Sequence, residues 1–231
     1  MEFPINRSRT TLVLVATWAS LLCASPRSAD AVPAQNEISD EKWVDGPEAV
    51  QLGNSRSYPD VGVANSGMRV HVWSEGGIGG SAAGEIILRR FDAEGNPLED
   101  PKQVNTTTDD IQRHARVAVS ADGTFLVMWQ SWEDGPAERV VVRSRLYNPN
   151  GNPAGPEQRV STVLTNFATD AHADVTALRA DGGAPGGYAV VWASNNSAGS
   201  DTGTGIQGCV ISAAGVPGAQ FQVNSTDSGS Q

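Results

Sequence analysis

The chain has 231 residues, 26 of them acidic and 16 basic, for a formal charge of −10. That excess of carboxylates argues against nucleic acid and anionic membrane surfaces as partners, since both demand basic patches. No apolar run reaches the roughly 20 residues that a membrane-spanning helix needs.

Residues 1–31 read as a secretory signal. Arg7 and Arg9 precede an apolar stretch from Leu12 to Cys23, and Ala29-Asp30-Ala31 offers a small-x-small cleavage site. Leu22 is bulky where lipid attachment to Cys23 wants a small residue, which disfavours an anchor there. Removal of the leader leaves Cys209 as the remaining cysteine, so packing rather than an intrachain disulfide must hold the mature chain. The expected address is secreted, either periplasmic or extracellular. Residues 32–57 form an N-terminal segment in which "PEAVQL" from Pro47 reads as an isolated outer strand.

Three copies of one unit follow, over residues 58–113, 114–171 and 172–231. Each opens on a short alternating strand, "PDVGVA" from Pro59, "ARVAVS" from Ala115 and "ADVTAL" from Ala173. A glycine turn leads to an apolar strand ending in tryptophan: "MRVHVW", "TFLVMW" and "GYAVVW", with Trp73, Trp129 and Trp192. Apolar residues on both faces of that strand predict a sheet covered on both sides. The third strand, "EIILRRF", "VVVRSRLY" and "GIQGCVI", alternates polar with apolar and predicts shallower burial. A Gly-x-Pro turn at Gly95, Gly151 and Gly215 then makes a hairpin into a polar fourth strand, "QVNTTT", "RVSTVL" and "QVNSTD". The tryptophans are spaced by 56 and 63 residues and the Gly-x-Pro turns by 56 and 64, so the two features define the same period.

Four antiparallel strands per repeat with one large aromatic is a blade pattern. The expected fold is therefore all-β, a β-propeller-like array of four-stranded antiparallel blades. Three blades and one orphan strand fall short of the roughly 4 to 8 blades that close a propeller. The array is therefore expected to be incomplete, part of a longer protein, or open and completed by a homodimer that closes the ring. The strings "DGTFLVMWQS", "GGYAVVWAS", "RRFDAEGNPL" and "VNTTTDDIQ" resemble the "DGxFVVVWQS … RFxxxGNPxG … VNTTT" repeats of large secreted bacterial proteins. The likeness spans residues 58–231 and is strongest in the second unit. It implies a propeller-like array at the cell exterior and no particular activity.

Tyr58, His114 and His172 occupy one equivalent position, three residues before a strand valine, and Asp60, Arg116 and Asp174 fall two residues later. If first strands line a central channel, these residues form a polar pocket for a glycan or small anion; their bland reading is hydrogen bonding between neighbouring blades. Trp132 has no counterpart in the other units and reads as an exposed loop aromatic, a platform for a sugar ring. Trp73, Trp129 and Trp192 read as structural, and His71 as a strand residue.

The loops "DAEGNPLED" and "NPNGNPAG" carry alternating oxygens of the kind calcium takes, yet Pro97 and Pro153 stand where an EF-hand loop needs glycine. Asp109, Asp110, Asp170 and Asp227 form a second loop set of similar kind. Turn chemistry and solvated charge explain both sets, so no cofactor is expected. "SADGTF" resembles the Ser-x-Asp-x-Gly-x-Thr turn of sialidases, one residue short. The functional expectation is a non-catalytic module that binds or scaffolds a glycan or protein outside the cell. The alternative is part of a sialidase-like, glycan-cleaving propeller enzyme whose active site lies in further blades.

Overall fold

The computed structural model describes residues 56–76, 84–108, 111–133, 139–161, 171–180, 184–194 and 205–224. The signal segment, the strand from Pro47, and Asp109, Asp110, Asp170 and Asp227 lie outside them. The fold is all-β and propeller-like, three four-stranded antiparallel sheets in chain order. Blade 1 holds β1 (Arg56–Val63), β2 (Arg69–Glu75), β3 (Glu85–Phe91) and β4 (Lys102–Gln103). Blade 2 holds β5 (Gln112–Val119), β6 (Phe125–Glu133), β7 (Arg139–Tyr147) and β8 (Gln158–Arg159). Blade 3 holds β9 (Asp174–Arg179), β10 (Pro185–Ser194), β11 (Gly205–Ile211) and β12 (Pro217–Gln222). No helix among the described residues is long and apolar enough to cross a membrane.

The punctuation of the repeat has a local cause in each blade. Gly95, Gly151 and Gly215 sit at φ 91°, 80° and 79°, where a side chain is resisted, and close the hairpin from third to fourth strand. The asparagine of the "VNTT" string turns inward: Asn105 Oδ1 accepts the Ile86 N–H at 2.8 Å, and Asn224 Oδ1 that of Ile206 at 2.8 Å. Ser161 Oγ does the same for Val142 at 2.9 Å. This polar residue after the short fourth strand thus satisfies an N–H that the ladder would otherwise leave bare inside the protein.

Blades pack face to face. Val72 and Leu88 of blade 1 belong to one cluster with Val117, Val127 and Trp129 of blade 2. Met128 and Leu146 of blade 2 join Tyr188, Val190 and Trp192 of blade 3 in another. Trp129 and Trp192 therefore each sit at the boundary with the preceding blade. Burying 150–250 Å² of such a ring is worth about 4 to 6 kcal/mol. The Trp129 indole N–H donates to Gln112 Oε1 at 2.9 Å, both side chains being fully buried. In blade 1, Arg56, a donor, stands in the place of Gln112, and among the described residues the buried Trp73 indole N–H has no partner.

Polar side chains also cross the blade boundaries. Arg90 Nη2 donates to the Asn150 carbonyl at 2.7 Å while its Nε holds Glu99 at 2.7 Å, and Arg145 reaches back to the Val104 carbonyl at 2.8 Å. Glu157 of blade 2 takes the Thr106 N–H and hydroxyl of blade 1 at 2.8 and 2.9 Å and pairs with Arg143 at 2.8 Å. These contacts correct the expectation of a shallow third strand. From Ile86 to Phe91, β3 is buried throughout, arginines included, because Arg89 and Arg90 find carbonyl and carboxylate partners inside the array.

Candidate functional site

The first strands carry the strained positions of the chain. Tyr58, His114 and His172 adopt φ of 53°, 58° and 44° and are the non-glycine residues with positive φ among those described. Such a conformation costs on the order of 1 to 3 kcal/mol and persists only when its surroundings enforce it. At Tyr58 and His114 the enforcing element is a β-bulge. Ser57 pairs with Ser74 and Asp60 with Val72, so Tyr58 and Pro59 together oppose Trp73. Arg113 pairs with Gln130 and Arg116 with Met128, so His114 and Ala115 together oppose Trp129. The extra residue re-aims the side chain at the bulge, as bulges beside binding sites do.

The re-aimed rings meet. The Tyr58 ring lies 3.9 Å from that of His114, centroid to centroid, and the Trp132 ring packs edge-on to His114 at 5.9 Å. The Arg113 guanidinium sits 6.0 Å over the Trp132 ring. Tyr58 is 43% exposed and His114 only 6%, so tyrosine is the outer surface of the stack and histidine its floor. The Tyr58 ring covers that of His114. Beside the stack, a groove is lined by Arg56, Ser57, Pro59, His71 and Trp73. Burial, and then the neighbouring charge of Arg69, hold the pKa of His71 below the ordinary imidazole value; its ring, on β2, packs edge-on to that of Phe91 on β3 at 5.0 Å.

Trp132 is not a loop residue. It lies in β6, opposite Val140, and is half-buried against the boundary between blades 2 and 3, because the second strand of blade 2 continues past its repeat tryptophan to Glu133. Asp60 belongs to the scaffold: Oδ1 accepts the Val61 N–H at 2.9 Å and Oδ2 the Val117 N–H of blade 2 at 2.9 Å. Arg116 folds onto the Ala115 carbonyl at 2.9 Å. Exposed His172 and Asp174 lie in the third blade, Asp174 accepting the Val175 N–H at 2.9 Å. Sequence reasoning missed Arg113; its adjacency to a bulge residue was the available signal, but a bulge is not written in residue type.

Two of the loop carboxylates weighed for calcium have partners. Asp92 accepts the Asn96 N–H at 2.7 Å and its side-chain amide at 2.9 Å, and these bonds hold its carboxyl below the usual carboxylate range. Glu99 is taken by Arg90 and Lys102, at 2.7 and 2.8 Å. Among the described residues no group of three or more His, Cys, Asp or Glu converges on a point.

No protein-family model matches the chain, and no curated protein matches it. Among solved structures it is similar to an alpha-L-arabinanase of Penicillium chrysogenum, with 13% identity, a TM-score of 0.48, and coverage of 76% of this chain and 46% of that one. A Hadza microbial sialidase gives 12% identity and a TM-score of 0.46, over 72% of this chain and 38% of that one. An exo-1,5-alpha-L-arabinanase from a bovine ruminal metagenomic library gives 13% and 0.41, over 82% and 65%. The chain thus spans less than two thirds of the length of each of these proteins, and likeness at this level carries no argument about activity.

Proposed function

We propose that the chain is a non-catalytic binding module of the cell exterior that holds a glycan against the stack of Tyr58, His114 and Trp132. The observation that carries this reading is the ring stack itself, built on left-handed backbone at the repeat's equivalent positions. The exposed face of Tyr58 suits the apolar face of a sugar ring, and Arg113 beside Trp132 suits a ligand with carboxylate groups. Asp60, two residues from Tyr58, has both oxygens committed to backbone N–H groups, which supports binding over acid–base chemistry by that group. The secretory signal and the resemblance to secreted bacterial repeats support the exterior setting.

The test is a fluorescence titration with oligogalacturonate and with a neutral oligosaccharide of equal length. Saturable quenching, stronger with the charged sugar and lost in Tyr58→Ala, is the expected result. Release of shortened sugars would favour the glycan-cleaving alternative, and no response to either sugar would remove the glycan reading.

A further inference from the structure

The antiparallel registers align one row of residues across each blade. In blade 1 it runs Asp60, Val72, Leu88, Lys102; in blade 2, Arg116, Met128, Ser144, Gln158; in blade 3, Asp174, Val191, Gly208, Phe221. Side chains directly opposite one another share a face of a sheet. In blades 1 and 2 that face is closed by the blade that follows: Val72, Leu88 and Met128 have no exposure. In blade 3 the same face is open. Val191, Val210 and Phe221 are 40%, 45% and 50% exposed.

The row also carries a hydrogen-bonding rule. Asp60 extends Oδ2 to the Val117 N–H of the next blade, and that N–H is available because Arg116, unlike an aspartate, cannot accept it. Where the first strand has aspartate, the valine N–H is taken at home: Val61 by Asp60 Oδ1 and Val175 by Asp174 Oδ1, each at 2.9 Å. Asp174 holds its own strand as Asp60 does, and among the described residues its second oxygen has no partner.

We infer that the open face of blade 3 receives a further four-stranded blade of the same repeat, whose first strand carries a non-accepting side chain such as arginine at the position of Arg116. Both blade boundaries in the structure join consecutive blades of one chain, so the inference continues an interface already present twice. A second copy is the poorer occupant, because its β1 would offer the Val61 N–H that Asp60 already holds. The inference stands apart from the ring-stack reading, and a failed sugar titration leaves it intact.

The experiment extends the full chain with a second copy of its own residues 112–171 and follows maleimide labelling at residue 191 in a Val191→Cys background by mass spectrometry. The expected result is labelling at least tenfold slower than in the unextended chain, with most of that protection lost when the appended copy carries Arg116→Asp. Unchanged labelling, or equal protection by the Asp-bearing extension, overturns the inference. So does concentration-dependent protection of the unextended chain, which would assign the face to a second copy. A further measurement needs no extension. Asp60→Ala should lower the melting temperature by about 3 °C and Asp174→Ala by less than about 1 °C; equal losses would mean that Asp174 already has its partner.

Discussion

Val117 donates its N–H to Asp60 Oδ2 at 2.9 Å across the boundary of two blades, while Oδ1 of the same carboxylate holds the Val61 N–H. One side chain thus ties its own strand and the next. Asp60→Asn keeps one accepting oxygen and loses the other. It should lower stability by about 1 kcal/mol in urea unfolding, with no change in the denaturant slope.

Trp129 is fully buried, with its indole N–H on Gln112. Trp129→Ala should cost about 3 to 5 kcal/mol. Trp129→Phe should cost about 1 to 3 kcal/mol, largely from leaving the Gln112 amide oxygen buried and unbonded. Thermal unfolding unchanged in the alanine variant would contradict the packing described.

Acid should loosen the boundary between blades 1 and 2. Burial pushes the Glu157 carboxyl up, but the hydrogen bonds of Thr106 and Thr107 and the charge of Arg143 outweigh it and hold its pKa below the ordinary value of 4.5. Burial is likewise outweighed at Glu99 by Arg90 and Lys102. Both folded-state values lie below the unfolded ones, so this stabilisation is complete above about pH 4.5 and disappears as the pH falls through the folded values. Unfolding free energy measured from pH 6 to about 3 should fall in that window, and less steeply in Glu157→Gln.

Tyr58 separates stability from function. It is the outermost ring of the stack and sits at φ 53°, so Tyr58→Gly relieves backbone strain while removing the sugar platform. Stability should stay level or rise by up to about 1 kcal/mol, while oligosaccharide affinity is lost. A variant that loses stability and keeps affinity would reverse the assignment.

Much of the fold was legible because period, turn glycine and tryptophan each leave a residue-type signature. The four-strand order of each blade follows from Gly95, Gly151 and Gly215 and from the apolar runs that end in tryptophan. The bulges did not show, since nothing in "SYPD" or "RHAR" declares a left-handed residue; only the register opposite Trp73 and Trp129 does. The burial of β3 escaped because an arginine reads as surface until its carbonyl partners in the next blade are seen. Trp132 was misplaced for a related reason: strand length is set by pairing with β7, which sequence alternation does not reveal. Of the candidate site, the equivalence of Tyr58, His114 and His172 was visible in the sequence, and the stacking of the first two, with Trp132 and Arg113, was not.

The most direct test of the binding account uses the chain's three histidines, which give a nearly empty imidazole spectrum. Their 13C–1H signals should be followed by NMR while oligogalacturonate is added. The account predicts a saturable shift of the His114 signal beneath Tyr58, while that of His172, in the next blade, stays in place. A His114 signal that does not move at saturating sugar, or one that moves equally in Tyr58→Gly, would contradict it.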